Sequence, residues 1–126
     1  KEIYRKMFSE YILYTPDFAF IELNKYREVI LKKTKKLKAE DLRDFTLFLF
    51  SKIIVVPDYI ISESSYKKAE DLVKNIDYKD VAYVALTEEL NLILLTQDLP
   101  IHDGLKSQGF ENVKLFNEFV KEMITD

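Results

Sequence analysis

The chemistry open to this chain is set by 22 carboxylates, one histidine and no cysteine. Without cysteine there is no thiol nucleophile, no iron–sulfur cluster and no Cys-ligated zinc. His102 alone cannot build a multi-histidine metal site. Metal or acid–base chemistry must therefore come from Asp and Glu, and four of these stand out. Asp98 lies just beyond the apolar run Leu92–Leu95, in Thr96-Gln97-Asp98. In open α/β sheets, ligands bind beyond the carboxyl ends of the strands. The same Asp also suits a turn that caps the helix near Ile101. Asp80 opens the helix Val81–Leu90, where an ordinary N-cap is the alternative. Asp77 precedes it by three residues and either joins it or caps a turn. Glu22 lies in the apolar stretch PDFAFIELNKY, on the solvent face of a helix or pointed into a polar cleft. A helix followed by a strand that doubles back brings the helix start and the strand end together, which makes Asp80 and Asp98 one cluster across 18 residues. Glu22 is expected to converge with them. Close carboxylates repel unless a cation neutralises them. Oxygen-only ligands favour Mg²⁺ or Mn²⁺ over zinc.

The elements that position these acids follow from periodicity. Lys1–Ser9 reads as the back half of a helix, with Ile3 and Met7 at helical spacing. Tyr11–Tyr14 reads as a short strand. Pro16 sits in the first turn of a helix running to about Lys33, with Ala19, Leu23, Tyr26 and Ile30 as its stripe. Thr34–Lys38 reads as a turn. A second helix runs to Phe50, antiparallel to the first, with Leu42, Phe45 and Leu49 in line. Ile53–Val56 is a strand ended by Pro57. A helix from about Ser62 to Asn75 and the junction Ile76–Asp80 follow. Val81–Leu90 is apolar around most of its circumference and must be buried. Asn91 ends it, and Leu92–Leu95 is a strand of the kind found inside parallel sheets. Ile101–Gln108 is a helix stopped by Gly109. Val113–Phe116 is a strand, and Asn117 caps a last helix, Glu118–Ile124. Strands alternating with helices predict one α/β domain over residues 1–126, three layers deep, with a mostly parallel central sheet flanked by helices.

Composition narrows the function classes. The chain has 126 residues, 48% of them hydrophobic and 33% charged, with only two Gly and three Pro, which excludes disorder. Two glycines cannot make a dinucleotide-binding loop. No apolar run of 18 residues and no signal peptide is present, so the expected location is cytoplasmic, without membrane contact. The net charge of −3 conceals an asymmetry: residues 1–76 carry +3 and residues 77–126 carry −6. Seven Lys or Arg against one acid lie between Lys25 and Lys38, a patch able to steer a polyanion or to serve as a solvated loop. The second helix carries Leu42, Phe45, Leu47, Phe48, Leu49 and Phe50, more apolar surface than one helix usually buries in a small domain. Self-association as a homodimer is the expectation. A receiver-like phosphoacceptor domain fits poorly, because no strand ends in an acid pair and Leu115 is followed by Phe116 rather than Lys.

Taken in order, these segments resemble the PIN-domain family, metal-dependent ribonucleases that include the VapC-like toxins of toxin–antitoxin pairs. YTPDFAFIELNKYREVILKK is similar to the family's glutamate-bearing helix, with Glu22 in the place of the glutamate. DYKDVAYVALTEELNLILLTQDLPIHDGLKSQGF is similar to the later acids, Asp80 opening a buried helix and Asp98 closing Thr-x-Asp. The resemblance implies Glu22, Asp80 and Asp98 as catalytic metal ligands, Asp77 as an extra acid and Thr96 as a supporting residue that orients a neighbour or a water. It implies Mg²⁺ or Mn²⁺, RNA as substrate, endonucleolytic cleavage to 5′-phosphate and 3′-hydroxyl ends, and an antitoxin or other protein as partner. The family opens with a strand ending in Asp, and this chain begins inside the helix that should follow. The expectation is a segment ahead of Lys1 that supplies strand and Asp. The alternative is a degenerate PIN module that binds RNA or a partner protein without cutting.

Overall fold

The computed structural model describes residues 2–33 and 38–125. They fall into two compact units, Phe8–Asp58 (the N-terminal unit) and Lys1–Met7 with Tyr59–Asp126 (the C-terminal unit). The first helix, α1 (Glu2–Glu10), crosses from one to the other in sequence.

In the N-terminal unit, β1 (Leu13–Pro16) leads into α2 (Phe18–Lys33), and α3 (Ala39–Phe50) leads into β2 (Ile53–Val56). β1 and β2 pair in parallel, with Leu13 opposite Ile53 and Pro16 opposite Val56. Pro16 is thus the buried last residue of the strand rather than part of the first helical turn, and the strand lies two residues later than Tyr11–Tyr14. A proline is tolerated there because each strand of a two-stranded sheet is an edge. The rings of Phe20 and Phe50 lie 4.9 Å apart, joining the start of α2 to the end of α3 as an antiparallel pair does. Phe8 meets Phe48 edge-on at 6.0 Å. The expected turn falls mostly on residues 34–37, outside the described residues; Lys38 is the N-cap of α3. Neither α2 nor α3 has a buried residue.

The C-terminal unit has a closed core. α4 (Glu63–Val73) packs on α5 (Val81–Leu90), and a single 3₁₀ turn, Tyr78–Asp80, precedes α5. After α5 come β3 (Leu94–Thr96), α6 (Leu99–Ser107), β4 (Val113–Leu115) and α7 (Phe116–Thr125). As its composition predicts, α5 is buried at Ala82, Val84, Ala85, Leu86 and Thr87. Small residues on α5 and Ala69 and Val73 on α4, all nearly fully enclosed, bring the two helices close. The buried Thr87 hydroxyl is satisfied by donating to Tyr83 O within its own helix, at 2.8 Å. Asn91 closes α5 in the left-handed conformation, φ 54°. Leu92 N–H then bonds back to Thr87 O at 2.9 Å, so Leu92 terminates the helix and the strand starts only at Leu94. β3 and β4 are parallel, Leu94 opposite Val113. Gly109 has φ 85°, the left-handed geometry needed just past the end of α6. α7 begins directly at the end of β4, which puts Asn117 in its first turn rather than at its cap.

The parallel pairing and helical flanks match the α/β expectation. A single central sheet does not: the described residues hold two separate two-stranded sheets, one per unit. Among them no helix is long and apolar enough to cross a membrane.

Candidate metal centre

Asp98 stands at the N-cap of α6, exposed, two residues beyond Thr96, the last residue of β3. Its Oδ1 accepts the Ile101 N–H at 3.2 Å, and its own N–H donates to Thr96 Oγ1 at 3.0 Å. The Thr96 hydroxyl thus ties down the backbone that carries Asp98. The turn-forming use of Asp98 and its place beyond a strand are both observed.

Asp80 ends the 3₁₀ turn and occupies the N-cap position of α5, yet its side chain makes no capping bond to that helix. The cap expected from the sequence is thus one of position only. Asp77 does cap: its Oδ1 accepts the Lys79 N–H at 3.0 Å and starts the 3₁₀ turn. α5 spans ten residues, about 15 Å. The segment from Asn91 to the end of β3 spans at most about 16 Å. The two lengths are comparable, and Asp80 stands at the start of the helix while Asp98 lies just past the end of the strand. Glu22 lies on α2 in the N-terminal unit, half-buried. Its neighbours Phe20, Ile21 and Leu23 are 42%, 62% and 40% exposed. The apolar side chains next to Glu22 in sequence are thus largely exposed.

Among the described residues no group of three or more His, Asp or Glu is arranged to hold a metal ion. The donor chemistry nonetheless suits a hard cation. Mg²⁺ commonly takes one or two protein carboxylates and fills its octahedron with water and substrate phosphate.

Sequence reasoning passed over three further acids. Asp17 and Asp58 follow the ends of β1 and β2, each directly after a proline. Asp17 Oδ2 accepts the Asp58 N–H at 3.1 Å, and Asp17 N–H donates to Val56 O at 3.1 Å, locking the carboxyl edge of that sheet. The repeated Pro-Asp after an apolar run was the available signal. Glu89, on α5, reaches the start of α4. Its Oε1 accepts the Ser62 N–H and the hydroxyl of the buried Ser65, both at 2.8 Å. Ser62 meanwhile caps α4 by accepting from Ser65 N–H at 3.2 Å. In a capping box, a Glu three residues into the helix would accept the N-cap N–H. Here Ser65 holds that position and Glu89 supplies the carboxylate from a neighbouring helix. Bonds from the Ser62 backbone first, then from the two serine hydroxyls, hold the Glu89 carboxyl below the usual glutamate range against a small opposing effect of burial. No local pattern announces this, because partner and helix are 24 residues or more apart.

Of the basic cluster, Lys25, Arg27, Lys32, Lys33 and Lys38 are exposed, and Lys35 and Lys36 lie outside the described residues. Comparison with curated proteins finds no match. The family profile described as "PIN domain" matches residues 2–117. A match that runs through α2, both sheets and the Asp80–Asp98 unit covers most of the chain, which accordingly belongs to the PIN-domain family.

Proposed function

We propose that this chain is a single PIN-like domain that cuts RNA phosphodiester bonds endonucleolytically with Mg²⁺ or Mn²⁺. What supports the reading is family membership together with the element ends the two acids occupy, Asp80 at the start of α5 and Asp98 at the start of α6 just past β3. Asp80 and Asp98 would hold the ion, Asp77 would add a carboxylate, and Thr96 would keep Asp98 in place. The resemblance assigns Glu22 a ligand role as well, and Glu22→Gln tests that assignment by itself. Asp80 and Asp98 would hold a divalent ion, which would supply an activated water and offset the charge of the phosphate. The exposed lysines of α2 offer positive charge to a polyanion.

The test combines cleavage with thermal stability. Mn²⁺ at 100 times its dissociation constant should stabilise the fold by about 2.7 kcal/mol. Asn is as good an N-cap as Asp, so Asp98→Asn keeps the α6 cap and removes only the charge. It should abolish most of the Mn²⁺ shift and the cleavage together. An equal shift in both proteins would leave Asp98 as a cap alone.

The second reading is a PIN module that binds RNA or a protein without cutting. It is favoured by the lack, among the described residues, of a preassembled acid group. Tight RNA binding with no metal-dependent cleavage would select it. Under either reading we assign the exposed apolar side chains of α2 and α3 to a protein interface, in a homodimer or with an antitoxin-like partner. Sedimentation of the chain at micromolar concentration as a monomer would remove the homodimer.

A further inference from the structure

No residue of α2 or α3 is buried, yet each helix carries a regular surface. On an α-helix, residues four apart stand in one ridge. Ile21, Lys25, Val29 and Lys33 form such a ridge along α2, and all four are exposed, Ile21 by 62% and Val29 by 44%. Glu40, Asp44 and Phe48 form another along α3, also exposed, with Phe45 beside it, 50% uncovered. The first ridge alternates apolar and basic groups. The second joins two acids to an apolar end. Each helix as a whole has the sign of its ridge: α2 carries four basic residues against two acidic, α3 three acidic against one basic. Some of these charges have local uses. Lys33 lies in the last turn of α2 and Glu40 in the first turn of α3, where each suits its own helix dipole. Asp44 meets Arg43 at 3.0 Å, and Lys25 Nζ lies 5.8 Å from the centre of the Tyr26 ring. Exposed pairs between sequence neighbours hold little, and none of them covers Ile21, Val29 or Phe45.

We infer that the α2 ridge packs against the α3 ridge of a second copy of this chain, twice over, about a two-fold axis. α2 and α3 run antiparallel, so an axis along the pair lays each α2 antiparallel to the second copy's α3. Lys25 and Lys33 of one copy then bracket Glu40 and Asp44 of the other, and Ile21 meets Phe48. A foreign helix of one sign answers only one of the two ridges. A second copy answers both with the surface it already has, as a self-complementary contact requires. The apolar groups supply the attraction, and the opposite charges set partner and register. This narrows the interface assigned above to one occupant and one pairing, and it holds whether or not the chain cuts RNA.

The test reads association by sedimentation of the purified chain, without RNA or metal. One variant carries Lys25→Glu with Lys33→Glu, a second carries Glu40→Lys with Asp44→Lys, and circular dichroism follows the helices of each. Wild type should sediment as a dimer at micromolar concentration, with a Kd that rises with salt. Each variant alone faces like charge at both contacts, and its association should weaken about a hundredfold or more. An equimolar mixture of the two should form a heterodimer with a Kd near that of wild type, because one contact is then native and the other is reversed on both sides. A variant that had merely lost its fold is not rescued by mixing. Wild type that stays a monomer overturns the inference, as does a dimer that either variant leaves intact. Two monomeric variants that remain monomers when mixed, or a wild-type dimer indifferent to salt, overturn the pairing of α2 with α3. Cleavage, assayed separately, decides the nuclease reading alone, so either can fail while the other stands.

Discussion

The two units are built from similar amounts of apolar residue and use them differently. In the C-terminal unit, Val73, Val84, Ala85 and Leu105 have no exposed surface at all. In the N-terminal unit, only Pro16 and Val56 are buried among the described residues. The difference lies in side-chain size and spacing. α4 and α5 approach through Ala69, Ala82 and Ala85, and short side chains let two helices close over Val and Leu. α2 and α3 carry large Phe and Leu side chains among charged residues, and their apolar groups stand out from the helix: Leu47 is 66% exposed and Phe45 50%. Burial of apolar surface stabilises by roughly 25 cal/mol per Å². One unit has collected that contribution internally, while the other still presents the surface that could collect it.

The largest expected effect concerns local opening. Amide exchange should be slowest in α5 and fastest in α2 and α3, by orders of magnitude, because protection follows buried contact. Equal protection in the two units would break the comparison. Next comes truncation of side chains. Leu105→Ala, at a site with no exposed surface, should cost about 2–5 kcal/mol in chemical unfolding. Leu47→Ala should change stability by no more than about 0.5 kcal/mol; a large loss there would mean that α3 is covered in solution.

A smaller effect tests how tightly the C-terminal unit is packed. A Cβ at Gly104 would sit 2.5 Å from Ile76 Cδ1 and 3.0 Å from its Cγ1. Gly104→Ala gains helix propensity of about 1 kcal/mol but overpacks against Ile76, a strain of about 1–3 kcal/mol. The net should be destabilising with Ile76 present and stabilising in an Ile76→Ala background. A calorimetric double-mutant cycle reads the coupling directly.

The smallest effect is at Glu89. Its folded pKa lies below the ordinary value, so the carboxylate contributes stability above the unfolded pKa of about 4.3. That contribution is lost as the pH falls through the lower folded value. Unfolding midpoints measured from pH 6 down to pH 3 should fall more steeply for wild type than for Glu89→Gln. Parallel curves would show that the Ser62–Ser65–Glu89 bonds do not hold α4 to α5.

The same contrast explains what could be read from the sequence. α5 carried its own signals: an apolar circumference, Asp80 ahead of it and Asn91 behind. It is found at Val81–Leu90, as read. β2 was equally plain in Ile53–Val56. The excess of apolar side chains from Leu42 to Phe50 already pointed to an open face on α3, whereas the stripe of α2 says which face is apolar but not whether anything covers it, and its exposure became visible only in the structure. Strand pairing is non-local, which hid the division into two sheets. Of the candidate site, the positions of Asp80, Asp98 and Thr96 at element ends were legible from local pattern. That Asp98 caps its helix while Asp80 does not depends on backbone dihedrals no motif encodes, and Glu89 depends on a contact between helices.

The register of the two sheets has a consequence for the order in which the chain folds. β1 meets β2 through Leu13 and Ile53, and β3 meets β4 through Leu94 and Val113, so one pairing closes a loop about twice as long as the other. Doubling a loop adds only about 0.6 kcal/mol of closure entropy, too little to separate the two events. What separates them is the content of the loops. The segment between β3 and β4 contains α6, whose Ile101 and Leu105 enter the core as the loop closes. The segment between β1 and β2 contains α2 and α3, in neither of which any residue is fully buried. A refolding chain should therefore show an early phase in which β3, α6 and β4 gain protection together, and a later one in which β1 finds β2.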